Sequence, residues 1–391
     1  MKLLWSTKKL IEVCDLYRGS EPGSRTYNTK GKGVRFIRVA DISKQKTSPI
    51  WTTGKELVIC HKNDILMTFD GSPGVVFRGI EGAISSGIRI IKPKSNKELL
   101  DDFLFYVLQT ELVQNIVKKY TIGVSIWHAS KSIPHVEIPL PPLKTQKQIV
   151  ERIEELFEKI DKAKELRQKA KEESEQIFQS ALYQIFDKAE KKWGLKKLRE
   201  ICIINPRKTE IKDLPDNLEV SFIPMAAVDD ISGSIIIQEK KLLSKVKKGY
   251  TYFKDGDVLF AKITPCMQNG KSAIAKNLTN GIGFGSTEFH ILRPSDKVLS
   301  EWIYFYIRQP WFRKEAEKHF TGTAGQQRVP QEFLEKTEIP LPPLPEQKRI
   351  VACLDNLKEK VDKLKKLQQK QLEELSELKS SILNRAFSGE L

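Results

Sequence analysis

A proline-rich segment occurs twice in this chain. Residues 138–150 read IPLPPLKTQKQIV and residues 339–351 read IPLPPLPEQKRIV, which places the two copies 201 residues apart. The same separation relates Ile90–Pro93 to Ile291–Pro294. A repeat that keeps both its motifs and their spacing indicates an internal duplication, so we expect the two halves of the chain to fold with the same topology.

A long stretch without glycine or proline follows each copy of this segment. From Thr145 to about Asp187 apolar residues recur at spacings of three, four and seven, which predicts a helix with a heptad seam. Thr145 and Gln148 are predicted to form a capping box at its start. The second stretch begins after Pro345, which suits a first helical turn, and ends at Gly389. Each helix would be roughly 60 Å long.

Only one stripe of each predicted helix is apolar, so each helix needs a partner to be stable. The most economical partner is the other helix. Because both helices leave equivalent elbows of a duplicated chain, we expect them to lie antiparallel and to form a spacer of fixed length. A coiled coil between two copies of the chain is the alternative. The predicted seam comprises Ile149, Ile153, Leu156, Ile160, Ala163, Ala170, Ile177 and Ala181, and then Ile350, Leu354, Leu357, Val361, Leu364, Leu375, Leu378 and Ile382.

The two large segments have a mixed α and β pattern. Short apolar runs such as Val34–Val39 and Asp64–Phe69 are bounded by Gly, Pro and Asp, as strands are. Asp102–Tyr120 and Glu301–Phe320 are predicted to be amphipathic helices. The sequence thus predicts an α+β fold: two mixed α/β domains, related by a pseudo-two-fold internal duplication and separated by two long antiparallel coiled-coil helices. The predicted boundaries are 1–144 and 191–344 for the domains, 145–190 for the central helix and 345–391 for the distal helix.

The cysteine pattern and the hydropathy indicate the compartment. The five cysteines are scattered and form no CxxC pair, which predicts neither a disulfide framework nor a zinc site. No apolar run approaches the roughly 20 residues required to cross a bilayer. The N-terminal segment also lacks the apolar core of a signal peptide. We therefore expect a cytoplasmic protein without a membrane segment.

Motifs for catalysis are absent from the sequence. There is no P-loop for a nucleoside triphosphate and no dinucleotide-binding GxGxxG segment. The five histidines form no metal-binding cluster, and His290, within EFHIL, is typical of a core or edge position. We expect no catalytic residue, no metal site and no cofactor in this chain.

The net charge of +16 is unevenly distributed. It amounts to +9 for residues 1–144, 0 for 145–193, +5 for 194–344 and +2 for 345–391. Because the excess lies in the two large segments, we predict that these bind nucleic acid, whereas a solvated surface charge is the alternative for any single residue. The candidate DNA-binding residues are Arg18, Arg25, Lys30, Lys32, Arg35, Arg38, Ser125, Trp127, His128 and Lys131 in the first segment, and Asn269, Lys271, Ser272, Gln326, Gln327 and Arg328 in the second.

The loops 121–133 and 321–333 occupy the same place in the two repeats but differ in chemistry. A shared scaffold with two different surfaces predicts that two different features are recognised. If both surfaces address the major groove on one side of a duplex, the half-site centres lie about 34 Å apart. The bases between them would then be arbitrary.

Several motifs in one order carry a family resemblance. These are the twin IPLPPL…Q elbows, GSTEFHILRP at 285–294, TGTAGQQRV at 321–329 and LKSSILNRAFSGEL at 378–391. Together they resemble the specificity subunit of type I restriction–modification systems. The basic stretch 18–38 is not among the motifs of that family, so its assignment to DNA rests on charge alone.

This resemblance implies two target-recognition domains for double-stranded DNA, separated by central and distal spacer helices. It implies assembly with two methyltransferase subunits, which hold S-adenosylmethionine and methylate adenine, and with motor–nuclease subunits that use ATP and Mg²⁺. The cofactors would belong to those partners, and the helices would dock the methyltransferase. Two alternatives stay open: a non-enzymatic coiled-coil homodimer that bridges two ligands, and an enzyme in its own right.

Overall fold

The computed structural model describes residues 5–43, 47–124, 127–323 and 325–390. The chain divides into two compact units, the first comprising Met1–Gln168 with Gln369–Leu391 and the second comprising Lys169–Gln368. Each unit combines a mixed α/β region with segments of two long helices. The predicted fold class is therefore confirmed.

In the first unit, two sheets form the β part. One has five strands in the order β3-β5-β4-β10-β6, and the other has four in the order β2-β11-β7-β9. Two short pairs, β1-β13 and β8-β12, complete it. The elements are β1 (Thr7–Lys9), α1 (Leu10–Val13), β2 (Cys14–Arg18), β3 (Tyr27–Asn28), β4 (Val34–Ile37), α2 (Val39–Ser43), β5 (Ile50–Thr52), β6 (Ile59–Cys60), β7 (Ile65–Thr68), β8 (Asp70–Gly71), β9 (Val76–Phe77), β10 (Gly82–Ile84), β11 (Ile88–Pro93), α3 (Asp101–Val107), α4 (Glu111–Lys119), β12 (Trp127–His128), β13 (Glu137–Pro139) and α5 (Leu143–Trp193), whose second half belongs to the second unit.

In the second unit, two four-stranded sheets have the orders β15-β22-β19-β20 and β17-β16-β21-β18, and β14 pairs with β23. The elements are β14 (Leu195–Lys197), α6 (Leu198–Ile201), β15 (Cys202–Ile204), β16 (Glu219–Ile223), β17 (Glu239–Leu242), α7 (Leu243–Val246), β18 (Thr251–Lys254), β19 (Val258–Ala261), β20 (Ser272–Ile274), β21 (Ile282–Gly285), β22 (Phe289–Pro294), α8 (Ser300–Ile307), α9 (Pro310–Lys318), α10 (Gln331–Lys336), β23 (Glu338–Pro340) and α11 (Leu344–Ser388), which ends in the first unit. One turn of 3-10 helix or slightly more lies at Ser24–Thr26, Ser130–His135, Lys208–Ile211, Met225–Ala227 and Thr279–Gly281.

The topology of the first unit recurs in the second. The sheet β2-β11-β7-β9 corresponds to β15-β22-β19-β20, and in both units the neighbouring sheet contains one parallel pair, β4 with β10 and β16 with β21. In both units the first strand also pairs with the strand of the proline elbow, since Lys8 lies opposite Ile138 and Lys196 lies opposite Ile339. The internal duplication is thus a duplication of fold.

Each predicted amphipathic helix is interrupted. Asp102–Tyr120 forms α3 and α4, which meet at Thr110, and Glu301–Phe320 forms α8 and α9, where Pro310 starts the second helix. A proline at a first helical position has no amide to donate, so it starts a new helix rather than continuing the old one.

The two long helices confirm the predicted heptad stretches but not every predicted end. α5 has 51 residues and α11 has 45. α5 begins at Leu143, two residues before the predicted capping box of Thr145 and Gln148, so the capping box is not its start. α11 begins at Leu344, and Pro345 lies in its first turn as predicted.

Contacts inside each unit show how the two long helices pair. In the first unit, Lys379 Nζ of α11 lies 2.6 Å from Asp161 Oδ1 of α5. In the second unit, Lys365 Nζ lies 2.6 Å from Glu175 Oε2. From the first pair to the second, the α5 residue moves towards the C-terminus, from Asp161 to Glu175, while the α11 residue moves towards the N-terminus, from Lys379 to Lys365, as in antiparallel helices.

The seam differs from the heptad prediction at three positions. Ile153, Ile160, Leu354 and Val361 are buried as predicted, and Ile149, Leu156 and Leu357 are half-buried. Ile177, Leu364 and Leu378, however, are exposed.

The reason for this difference is that α5 packs on its own unit as well as on α11. Phe178 and Leu182 are buried in place of Ile177 and Ala181, and the ring of Phe178 meets Phe305 of α8 edge-on with centroids 6.4 Å apart. A strict heptad pattern of burial is expected only where the partner helix is the only surface on which the helix packs.

A buried glutamine ties each long helix to its elbow. Gln146 Oε1 accepts the Leu100 amide at 2.9 Å, and its Nε2 donates to the carbonyls of Glu98 and Pro141. The corresponding Gln347 makes the same three kinds of bond, with the Leu299 amide and with the carbonyls of Lys297 and Pro342. Both side chains are 0% exposed, so every polar atom of each amide group is used internally.

In the part of the chain that the structure describes, no helix is long and apolar enough to cross a membrane.

Leu354 and Leu364 provide a matched pair on one helix. Leu354 is 0% exposed and Leu364 is 46% exposed. We expect Leu354→Ala to lower the free energy of unfolding by about 2–5 kcal/mol, because it leaves a cavity in the seam. Leu364→Ala should change it by about 0.5 kcal/mol or less. Urea denaturation followed by circular dichroism measures both, and equal effects would contradict the seam described above.

Candidate nucleic-acid interface

An open groove of about 630 Å³ lies in the first unit. Three of the predicted DNA-binding residues, Arg18, His128 and Lys131, line it together. Asp70 and Arg89, which the sequence did not indicate, lie beside them. The groove therefore gathers positively charged side chains from distant parts of the chain.

The short pair of β8 with β12 positions the loop residues of this groove. His128 lies opposite Asp70, and its Nδ1 is 2.7 Å from Asp70 Oδ1. Trp127 lies opposite Gly71, whose φ of 76° is a left-handed conformation that favours glycine. The indole of Trp127 is 48% exposed. The imidazole is therefore held in one orientation, while the neighbouring aromatic ring faces solvent. Ser125 lies outside the described residues.

Two arginines meet at the floor of the groove. Arg18 of β2 lies directly opposite Arg89 of β11. Arg89 is buried, and its guanidinium donates to the Ser86 carbonyl at 2.7 Å and to Ser130 Oγ at 3.1 Å. Burial, and then the charge of Arg18, lowers the pKa of Arg89. The available sequence signal was an arginine within the apolar run Ile88–Ile91.

Of the six basic candidates in the stretch 18–38, only Arg18 lines the groove. Arg25, Lys30, Lys32 and Arg35 are exposed but do not line the groove.

Arg38 is a correction to the list of free cations. Its Nε and Nη2 each lie 3.0 Å from a carboxylate oxygen of Asp41, and this hydrogen bonding raises the pKa of Arg38. A guanidinium held at two points by its own neighbour has fewer donors left for a phosphate.

In the second unit the corresponding loop is fixed by Arg328. Its backbone forms bridges with Thr321 and Ile263. Its guanidinium contacts Glu288 through Nε and Nη2, at 2.9 and 2.8 Å, and this hydrogen bonding raises the pKa of Arg328 and lowers that of Glu288. Gln326 stays exposed and Gln327 is half-buried.

His128 and Arg328 hold the same place in the repeated fold. Each closes a loop by a backbone bridge, with Ile122 in the first unit and with Thr321 in the second, and each contacts a carboxylate. The duplicated scaffold therefore presents an imidazole at this position in one unit and a guanidinium in the other.

Lys271 is half-buried and Ser272 is buried, and both side chains donate to backbone carbonyls, so neither is the free surface group that the sequence indicated. Lys271 Nζ donates to the carbonyls of Met225 and Val228 at 3.2 and 2.8 Å. Ser272 is 1% exposed, and its Oγ donates to the Gly270 carbonyl. The turn before β20 ends one residue earlier than its polar sequence indicates, so only Asn269 stays exposed there.

His290 of β22 is buried, as its apolar surroundings predicted. Its Nε2 lies 2.9 Å from the Val329 carbonyl, and its Nδ1 lies 3.1 Å from Asn205 Nδ2. With Nε2 as the donor and Nδ1 as the acceptor, both contacts suit the neutral imidazole. Burial lowers the pKa of His290.

Among the described residues, no group of three or more His, Cys, Asp or Glu side chains is arranged to hold a metal ion.

Residues 3–172 and 190–374 match the family described as the type I restriction modification DNA specificity domain. The chain belongs to this family. The match confirms the resemblance that the elbow and loop motifs indicated, and it covers both halves of the duplication.

Relatives within the specificity family differ in how much of them this chain spans. It is 44% identical over 173 residues to the type I restriction enzyme EcoAI specificity subunit of Escherichia coli, covering 44% of this chain and 29% of that subunit. With the EcoEI specificity subunit of the same species it shares 44% identity over 166 residues, 27% of that subunit. With the MjaVIII specificity subunit of Methanocaldococcus jannaschii it shares 28% identity over 394 residues, covering 93% of this chain and 87% of that one. The chain thus spans less than a third of the two Escherichia coli subunits.

Solved structures support the fold of this specificity-family chain. One, from work on complex assembly and conformational transition of the type I R-M system, has a TM-score of 0.73 at 24% identity and covers all of both chains. The HsdS subunit from Thermoanaerobacter tengcongensis has a TM-score of 0.56 at 24% identity and covers 100% of this chain and 99% of that one.

The buried neutral His290 predicts a pH dependence of stability. Because its pKa is lowered by folding, the unfolded chain binds more protons as the pH falls below the ordinary value of 6.5. Stability should be full above pH 6.5 and decrease below it, with Lys262, Glu288 and Glu332 as the charged groups that act on the ring.

We expect His290→Gln to remove this part of the pH dependence, measured as the free energy of unfolding at a series of pH values. His61→Gln, at an exposed histidine, is the control and should leave the dependence as in the unmodified chain. Parallel curves for the unmodified chain and the His290 variant would contradict the assignment.

Proposed function

We propose that this chain selects the DNA sequence on which a type I restriction–modification complex acts. Each recognition domain, 1–144 and 191–344, would contact one half-site of a bipartite target in double-stranded DNA. The observation that carries this proposal is the repeated fold with different side chains, His128 and Arg328, at one structural position. Two unlike surfaces on one scaffold suit a target whose two halves differ.

We divide the proposed DNA contacts into two roles. Loop side chains that enter a groove read bases, and peripheral cations hold phosphates. We assign the reading role to Trp127, His128 and Lys131 in the first domain and to Asn269, Gln326, Gln327 and Arg328 in the second. The exposed Arg25, Lys30, Lys32 and Arg35 would hold phosphates.

The long helices, with proposed spacer boundaries of 145–190 and 345–391, would set the number of base pairs between the half-sites. At about 1.5 Å per residue, the 51 residues of α5 extend over roughly 76 Å. The buried anchors Gln146 and Gln347 support this role, because a spacer transmits a fixed length only if its ends are held.

We further propose that the chain is a non-catalytic, cytoplasmic subunit. Two methyltransferase subunits would supply S-adenosylmethionine and adenine methylation, and motor–nuclease subunits would use ATP and Mg²⁺. Exposed apolar side chains on both helices support docking of the methyltransferase: Leu166, Ile177, Tyr183, Leu364, Leu367 and Leu378. The same side chains also suit the alternative, a coiled-coil homodimer, and sedimentation of the lone chain separates the two possibilities.

The double substitution Gln327→Ala with Arg328→Ala tests the assignment of one domain to one half-site. We expect it to change or relax the bases recognised in one half-site and to leave the other half-site intact, because the altered loop belongs to the second domain alone. Mapping of methylated adenines in cells that express the variant complex measures this.

Lys318→Ala, an exposed lysine of α9 in the same unit, is the control and should leave both half-sites unchanged. An unchanged motif in the double variant would contradict the loop assignment. A change in both halves, with normal folding by circular dichroism, would contradict the division of the target between the domains.

A further inference from the structure

We propose that Arg18 and Arg89 together bind one phosphate of the DNA backbone at the floor of the groove in the first unit. This inference rests on the proposed DNA-binding function. It assigns a specific anchor to the first domain that the second domain lacks.

The arrangement of the two arginines is unfavourable when no anion is bound in the groove. They lie directly opposite each other on the antiparallel strands β2 and β11, where like charges destabilise a sheet. Both donate to the same acceptor, the Ser86 carbonyl, Arg18 through Nε at 3.3 Å and Arg89 through Nη1 at 2.7 Å. Among the described residues, neither guanidinium forms an ion pair with a carboxylate.

The acidic groups that line the groove are engaged elsewhere. Asp70 accepts from His128. Glu21 Oε1 accepts the amide and the hydroxyl of Ser86 at 3.1 and 3.0 Å, and its Oε2 accepts Tyr27 Oη at 3.1 Å. Arg89 is 6% exposed, and among the described residues Asp70 acts on its charge only from beyond ion-pair distance, so that charge is largely withdrawn from water without a directly bonded counter-ion. A buried charge is tolerated at low cost only when it is paired.

The duplication provides an internal comparison. The repeat offset that relates Lys8 to Lys196 places Pro206 at the position of Arg18, and the 201-residue offset places His290 at the position of Arg89. His290 is satisfied by Val329 and Asn205. The same scaffold therefore folds with no charge at either position, so the arginine pair is not a requirement of the fold.

A phosphate diester fits what the pair lacks. It brings one negative charge and two free oxygens, which converging planar guanidinium groups bind with several donors at once. The groove is open to solvent, and Lys131 and His128 lie on its lining, so a duplex backbone can approach from outside.

The test uses the double variant Arg18→Gln with Arg89→Gln and the two single variants. Each is made in the full chain and assembled with its methyltransferase partner. Affinity for a duplex that carries the target and for an unrelated duplex is measured by fluorescence anisotropy over a range of salt concentrations. We expect the slope of log affinity against log salt to become shallower by about 0.9, the value for one phosphate, on both duplexes. Arg199→Gln, at an exposed arginine of α6, is the charge-matched control for each single variant and should leave the slope unchanged.

Arg89→Lys should keep most of the salt slope of the unmodified chain, because it keeps the positive charge. This variant distinguishes a lost phosphate contact from a damaged strand. If Arg89→Gln does not fold, Arg18→Gln alone, at an exposed position, should still give a shallower slope than the control.

A slope equal to the control's would overturn the inference while leaving the proposed function in place, and failure of the unmodified complex to bind DNA would overturn both. An effect confined to the target duplex would indicate a base contact and would also overturn it. The inference would also be overturned if inorganic phosphate stabilised the unmodified chain but not the variants, while the variants bound DNA with unchanged affinity.

Discussion

The buried amide groups of Gln146 and Gln347 determine how each long helix leaves its domain. Each side chain lies in the first turns of its helix and bonds to backbone groups of the elbow and of the loop before α3 or α8. The prolines of the elbow restrict backbone rotation before the helix. The hydrogen bonds of the glutamine hold the first turns of the helix in place. This explains why IPLPPL and a following glutamine occur together in both halves of the chain.

The repeated domains share a scaffold and differ in the side chains of one loop. The sheets β2-β11-β7-β9 and β15-β22-β19-β20 have corresponding strand orders, whereas the loop that ends at His128 or Arg328 carries a different side chain in each unit. In both cases a carboxylate, from Asp70 or Glu288, fixes the orientation of that side chain before any ligand arrives. Such preorganisation lowers the entropy lost on binding, and it lets loops change while the sheet beneath them does not.

The features that could be predicted from the sequence are those that arise from local pattern. The duplication, the two long helices and the mixed α/β class follow from motif spacing and hydrophobic periodicity. The seam prediction was wrong at Ile177 and Leu364, because α5 and α11 also pack on the helices of their own units. The surroundings of single site residues depend on tertiary contacts, which the sequence pattern does not show. The sequence indicates that Ser272 and Lys271 are loop residues, but their side chains bond to backbone carbonyls of their own unit. The role proposed for Arg89 depends on Arg18, which lies opposite it on the neighbouring strand.

The central claim is that the two long helices fix the distance between two separately read half-sites. The most direct measurement inserts four residues within 158–175 of α5 and maps the methylated adenines in cells carrying the assembled complex. The insertion lengthens the helix by about 6 Å. The account predicts a motif of two constant halves separated by an arbitrary gap, with the gap longer in the variant and both halves unchanged. A gap of the original length, or a continuous motif without a gap, would contradict it.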